Sequence, residues 1–134
     1  MTTARGKAAL VLAAILAASP ALAEMLTFKA NLQPVDGANS KASGTLTADY
    51  DTASKKLTWQ GSYSGLATYV TAANMHGPTN AVVVRVRNFD SPFEGTAIVS
   101  EKQEPDLLAG KWFILLRSAG APNGELRGQI ARAN

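Results

Sequence analysis

The chain has 134 residues and a formal net charge of +3, with 13 basic and 10 acidic residues. This length suits a single domain. It contains no cysteine and one histidine, which excludes disulfides, cysteine-ligated metals and any metal site built from several histidines of one chain. Nucleic-acid-binding proteins carry clustered lysine and arginine residues. A net charge this weak argues against such a protein, so we expect no nucleic-acid partner.

The first 23 residues have the layout of a secretory signal peptide. Arg5 and Lys7 precede an apolar run over residues 8–18, and Ala21 and Ala23 supply the small residues of a cleavage site. A membrane anchor would need about 20 apolar residues, and a twin-arginine signal would need two adjacent arginines. We therefore predict Sec export with cleavage after Ala23, which lowers the net charge to +1. The remaining domain, residues 24–134, is expected in the periplasm or outside the cell, without membrane contact.

Beyond this leader, apolar and polar residues alternate with the period of two that is typical of half-buried strands. The segment 66–75 also suits a short helix, but the Gly77-Pro78 stop favours a strand. Eight short strands separated by turn signals predict an all-β fold, an antiparallel β-sandwich of Greek-key type. The predicted strands are 25–32, 42–50, 56–63, 70–76, 81–87, 93–99, 111–118 and 125–131, with a helical turn at 106–109 and a turn at 119–124 around Pro122-Asn123-Gly124.

The same alternation assigns the large apolar side chains. It places Val82, Val84 and Val86 together on one strand face. Four aromatic residues on strands with this alternation are interpreted as core residues. The alternative is that they form a platform on which a carbohydrate stacks. They are Trp59, Tyr63, Trp112 and Phe113.

The single histidine is the first candidate for chemistry. Asn74 and His76 share a strand face two residues apart, where two imidazoles would converge on one metal ion. An asparagine amide is a poor ligand for transition metals. We therefore favour a structural histidine that hydrogen-bonds beside the Gly-Pro turn, and keep as the alternative a metal-binding or redox role for His76, with copper or zinc.

Charged residues near the end of the chain are the second candidate. Glu125, Arg127 and Gln129 project from one strand face, and such an acid–base pair could hold a ligand carboxylate or assist proton transfer. The alternative is a surface ion pair that contributes a few tenths of a kcal/mol, roughly.

Four further basic residues would form a basic patch if their strands are neighbours. The alternative, which we favour, is an ordinary solvated face in a domain of net charge +1. The four are Arg85, Arg87, Lys111 and Arg117.

Taken together, several segments resemble the CHRD (chordin) domain, in order and over nearly all of residues 25–131. The most specific are Pro122-Asn123-Gly124-Glu125-Leu126-Arg127-Gly128-Gln129-Ile130 and Ala72-Ala73-Asn74-Met75-His76-Gly77. The others are Phe28–Leu32, Ala42–Ala48, Tyr63–Leu66, Phe93–Ala97 and Leu107–Trp112.

The resemblance implies an extracytoplasmic all-β domain and no enzymatic activity. In animals the domain occurs in a secreted antagonist of bone morphogenetic proteins, and in bacteria it usually stands alone. The family segment usually reads His-x-His-Gly, with a later His-Thr pair. Here those positions hold Asn74, His76 and Arg117-Ser118. The chain thus keeps one of three family histidines, and a guanidinium at Arg117 would repel a cation.

The leading hypothesis is therefore an exported, non-catalytic binding module for a protein or surface ligand, without a metal or other cofactor. Its candidate binding residues are Asn74, His76, Arg117, Glu125 and Arg127. The first alternative is a metal or redox protein that uses His76. The second is a hydrolase or lyase that uses Glu125 and His76.

Overall fold

The structure is a computed structural model that describes residues 23–133. Over this range the chain forms eight strands and one short helix, so the predicted all-β fold is confirmed. The elements are β1 (Met25–Pro34), β2 (Ser43–Asp51), β3 (Lys56–Ser64), β4 (Val70–His76), β5 (Val82–Val86), β6 (Phe93–Ile98), α1 (Glu104–Leu108), β7 (Trp112–Ser118) and β8 (Ala121–Arg132).

All eight strands belong to one antiparallel, nearly closed sheet in the order β5-β4-β7-β8-β1-β2-β3-β6. It folds over as two halves joined along β1 and β8. We call β1, β2, β3 and β6 the β1 half-sheet, and β4, β5, β7 and β8 the β4 half-sheet. Strands β5 and β6 are the two ends of this order and are not paired with each other.

The inner faces of both half-sheets supply one core, as strand alternation predicts. Trp112, Ile114 and Leu116 of β7 are fully buried, and the residues between them are only partly buried. The β1 half-sheet contributes the other side of the core. Its buried residues include Phe28, Ala30, Leu32, Leu46, Ala48, Tyr50, Leu57, Trp59 and Phe93.

A glycine allows the two half-sheets to approach at their junction. A Cβ added to Gly128 of β8 would lie 2.6 Å from the carbonyl oxygen of Asn31 and 2.9 Å from a methyl group of Leu32, both on β1. Those distances are too short for any side chain. Gly128 is therefore where the sheet turns from one half into the other.

Two predicted details are wrong. The turn predicted at residues 119–124 is only the Ala119-Gly120 pair, since Ser118 and Ala121 are already paired. Pro122-Asn123-Gly124 lies instead inside β8 as extra residues that shift its register against β7. Val82 does not share the buried face of its strand, because a register shift beside His76 leaves it 41% exposed.

The helical turn begins two residues earlier than predicted, at Glu104. Pro105 lies in its first turn, where a missing backbone N–H costs nothing. The predicted signal peptide lies almost entirely outside the described residues. Within residues 23–133, no helix is long and apolar enough to cross a membrane.

Candidate functional site

The five residues predicted as a site all lie on strands of the β4 half-sheet, and all except Glu125 lie on its side away from the core. Asn74 and His76 are on β4, Arg117 is on β7, and Glu125 and Arg127 are on β8. Their neighbours in the chain, such as Met75, Leu116 and Leu126, are the buried core residues. Alternation therefore directs four of these side chains to one outer face, whereas Glu125 lies beside the register shift of β8 and is buried.

Strand pairing sets four residues side by side across this face. Asn74 is paired with Arg85 on one side and with Leu115 on the other, and Leu115 is paired with Arg127. Neighbouring strands lie about 4.8 Å apart, so Arg85 and Arg127 are separated by about 14 Å across the row. The row therefore has one arginine at each end, with the Asn74 amide and the Leu115 side chain between them.

The next row holds an aromatic stack. The rings of His76 and Phe113 are 4.9 Å apart and nearly parallel, with 7° between their planes. The Arg127 guanidinium lies 4.1 Å from the centre of the same Phe113 ring. Phe113 therefore orients a histidine from β4 and an arginine from β8, the two strands that flank its own.

Phe113 was predicted to belong to the core, and this is wrong. It alternates with Trp112, which is fully buried, so its ring lies on the outer face and is partly exposed. The prediction of a core position is correct for Trp59 and Trp112, and Tyr63 packs against the core from a partly buried position.

The His76 imidazole is buried and uses one nitrogen. Its Nδ1 lies 2.9 Å from the carbonyl oxygen of Asn80, so Nδ1 carries the proton and donates to that oxygen. Nε2 is buried without a hydrogen-bond partner. The ring thus forms the hydrogen bond beside the Gly77-Pro78 turn that the sequence predicted.

The surroundings of His76 do not supply a metal donor set. Within residues 23–133, no group of three or more His, Asp or Glu side chains converges as a metal site would require. Asn74, the partner considered from the sequence, is paired with Arg85 on β5. A guanidinium beside the position of a second ligand opposes a cation.

Arg117 and His76 do not meet. His76 is paired with Phe113, whereas Arg117 is paired with Ala72, four residues further along β7. The Arg117 Nη1 donates to the carbonyl oxygen of Pro122 at 3.2 Å. The three family histidine positions therefore do not form one cluster around a common point in this chain.

Glu125 is held apart from Arg127. The residue is 6% exposed, and its carboxylate accepts hydrogen bonds from the Ser118 hydroxyl, at 2.5 Å, and the Ser40 hydroxyl, at 2.6 Å. The only ion pair within residues 23–133 joins Lys55 and Glu104, so the considered Glu125–Arg127 pair is not formed. Arg127 instead donates to Gln129 at 3.4 Å.

Basic residues gather on this outer face. Arg85, Arg117 and Arg127 lie on its strands, and we call these three residues with Asn74, Phe113 and Leu115 the arginine face. Arg87 and Lys111 flank it, each just outside a strand. Glu94 lines the same edge cavity as Arg85 and Arg87, and the backbone N–H of Lys111 donates to the Asp106 carbonyl.

Sequence reasoning missed Phe113 and Leu115 as members of this face, and Ser40 and Ser118 as partners of Glu125. The alternation along β7 could have identified Phe113 and Leu115, because Trp112, Ile114 and Leu116 occupy the inner face. No local signal points to Ser40, which lies 85 residues from Glu125 along the chain.

These features define a class of protein: an antiparallel all-β domain with an outer sheet face that carries arginine and aromatic side chains. The CHRD domain family model matches residues 28–130. The chain belongs to the CHRD domain family, as the sequence resemblance predicted. A comparison with curated proteins finds no match.

Proposed function

We propose that the protein is an exported, non-catalytic binding module, and that the arginine face binds an acidic surface of a partner protein. The observation that carries the proposal is the placement of Arg85, Arg117 and Arg127 on one outer sheet face. None of the three forms an ion pair within the described part of the chain. Their charges are therefore free to meet carboxylates of a partner.

The composition of the face favours a protein partner over other polyanions. Arginine and aromatic residues are enriched in protein–protein interfaces, and Phe113 and Leu115 place apolar surface between the guanidinium groups. Phe113 also orients Arg127, which lowers the entropy lost when that side chain is immobilised on binding. A nucleic-acid ligand would favour denser positive charge than a domain of net charge near +1 provides.

The geometry gives no support to catalysis by Glu125 and His76. His76 lies in the row of Phe113 and Gln129, and Glu125 is four residues from Gln129 along β8. Along the strand alone these four residues span about 13 Å, whereas an acid–base pair needs hydrogen-bond reach or a single bridging water. Export and the absence of a resident metal remain parts of the proposal. Elemental analysis of the purified protein for copper and zinc, compared with His76→Ala, tests the second of these.

Immobilised poly-L-glutamate is a suitable probe for the arginine face. The double variant Arg117→Gln, Arg127→Gln is compared by biolayer interferometry with Lys29→Gln, Lys56→Gln, which removes the same charge from the β1 half-sheet. We expect saturable binding of the unmodified protein, weakened at least fivefold in the arginine variant and little changed in the lysine variant. Binding should also weaken with added salt.

Two results would overturn the proposal. The first is equal weakening in the arginine and lysine variants, which would show that only net charge matters. The second is equal or tighter binding to an immobilised oligothymidylate, which would identify the face as a general polyanion surface.

A further inference from the structure

A second pocket lies at the end of the fold where the β1–β2, β3–β4 and β7–β8 connections meet. Its volume is about 280 Å³, and it is separate from the arginine face. Most of the residues that line it are small or carry hydroxyl groups. They are Ala38, Asn39, Ser40, Lys41, Gly65, Ala67, Thr68, Gly120, Ala121 and Glu125.

Glu125 is the buried charge of this pocket. Burying a carboxylate is costly unless a cation or several hydrogen bonds compensate for lost hydration. Glu125 receives only two hydrogen bonds, both from neutral hydroxyls, and no cationic group lies within 4.0 Å of it. An ionised carboxylate accepts about four hydrogen bonds, so about half of its capacity remains free.

Glu104 shows how the same fold compensates the charge of another shielded carboxylate. Its two oxygens accept hydrogen bonds from the Lys55 ammonium, at 3.1 and 2.9 Å, and from the Tyr50 hydroxyl. It does not line the pocket of Glu125. Glu125 differs on both points, because it lines a cavity and lacks a cationic partner.

From this contrast we infer that the Glu125 pocket binds a small zwitterion, with its ammonium group on Glu125 and its carboxylate on Lys41. The ammonium supplies the missing positive charge and further hydrogen bonds to the Glu125 oxygens. Lys41 is the one basic residue that lines the pocket, and it is exposed at the pocket surface. A ligand with both charges therefore matches the pocket better than a simple amine.

Three probes of similar size separate the two charges: β-alanine, propylamine and propionate. Each is titrated into ¹⁵N-labelled protein while the amide signals of Ser40, Lys41, Gly120 and Ala121 are followed. We expect saturable shifts with β-alanine, weaker binding of propylamine and no saturation with propionate. Stronger binding of propionate than of propylamine, or no saturable shift with either amine, would overturn the inference.

Variants assign the two contacts. Glu125→Gln preserves side-chain shape and one acceptor oxygen for the serine hydroxyls, and it should weaken both amines at least tenfold. Lys41→Gln should bring β-alanine down to the affinity of propylamine. The exposed Glu101→Gln variant is the matched control. If Glu125→Gln binds as tightly as the control, the inference is wrong.

A blocking variant keeps the test decisive if Glu125→Gln does not fold. Ala67 is exposed on the rim, and Ala67→Trp should fill the pocket without removing a hydrogen bond. It should abolish the β-alanine shifts, and retained shifts would contradict the inference. The arginine-face variant Arg117→Gln, Arg127→Gln should keep β-alanine binding, so failure of this inference and of the proposed function are distinguishable.

Discussion

The two half-sheets bury similar apolar inner faces but present different outer faces. The outer face of the β1 half-sheet carries mainly hydroxyl and amide groups, such as Thr45, Thr47, Thr58 and Gln60, with charges of both signs. The outer face of the β4 half-sheet carries three arginines around Phe113 and Leu115. Since the inner faces alone form the core, the outer residues of the β4 half-sheet are free to serve recognition.

The largest expected effect separates inner from outer positions within one strand. Trp112 and Phe113 are adjacent on β7, but only Trp112 is fully buried. Trp112→Ala should lower the free energy of unfolding by about 3–5 kcal/mol through loss of burial and creation of a cavity. Phe113→Ala should cost about 1–2 kcal/mol, since it loses only its ring contacts on the outer face. Urea denaturation followed by circular dichroism measures both, and equal losses would contradict the assignment of faces.

The junction between the two halves gives the second effect. Gly128→Ala would place a methyl group against the Asn31 carbonyl and should destabilise the protein by about 1–3 kcal/mol. Gly77→Ala is the control, because its added methyl group would meet only a Val83 methyl at 3.5 Å. A Gly128→Ala protein that melts at the same temperature as the unmodified protein would show that the halves are not joined as described.

A smaller effect concerns acid stability and the β1 half-sheet. Hydrogen bonds from Tyr50, then from Lys55, hold the pKa of Glu104 below its ordinary value. Its contribution to stability is therefore present above the unfolded pKa of about 4.3, and is lost as the pH falls through the lower folded value. Glu104→Gln should cost at most about 1 kcal/mol at neutral pH. The melting temperature of this variant should also decline less steeply below a pH of about 4.3. An unchanged dependence of melting temperature on pH would show that Glu104 does not contribute to acid sensitivity.

Most of the fold could be predicted because each strand shows its own alternation. The long-range strand neighbours could not be predicted, since β1 pairs with β8 and β4 pairs with β7 across long stretches of chain. The turn after Ser118 was misplaced because Pro-Asn-Gly is a strong turn signal, whereas here it forms a bulge inside β8. The alternation of β4, β7 and β8 correctly placed the other candidate residues on one face, but the position of Glu125 depends on the bulge in β8 and on the distant Ser40.

The smallest stability effect belongs to the arginine face. Arg117→Gln and Arg127→Gln should each change the free energy of unfolding by less than about 1 kcal/mol, because surface substitutions away from the core are mild. Thermal melts of both variants beside Lys56→Gln check this. A loss of several kcal/mol in either arginine variant would indicate that its role is to hold the sheet together.

The most direct measurement of the central claim is an NMR titration of the ¹⁵N-labelled protein with short oligoglutamate. Binding through the arginine face predicts saturable shifts on β4, β7 and β8, strongest at Asn74, Leu115 and Arg127, with β2 and β3 unchanged. Shifts spread evenly over both half-sheets, or concentrated on the threonine-rich face, would contradict it.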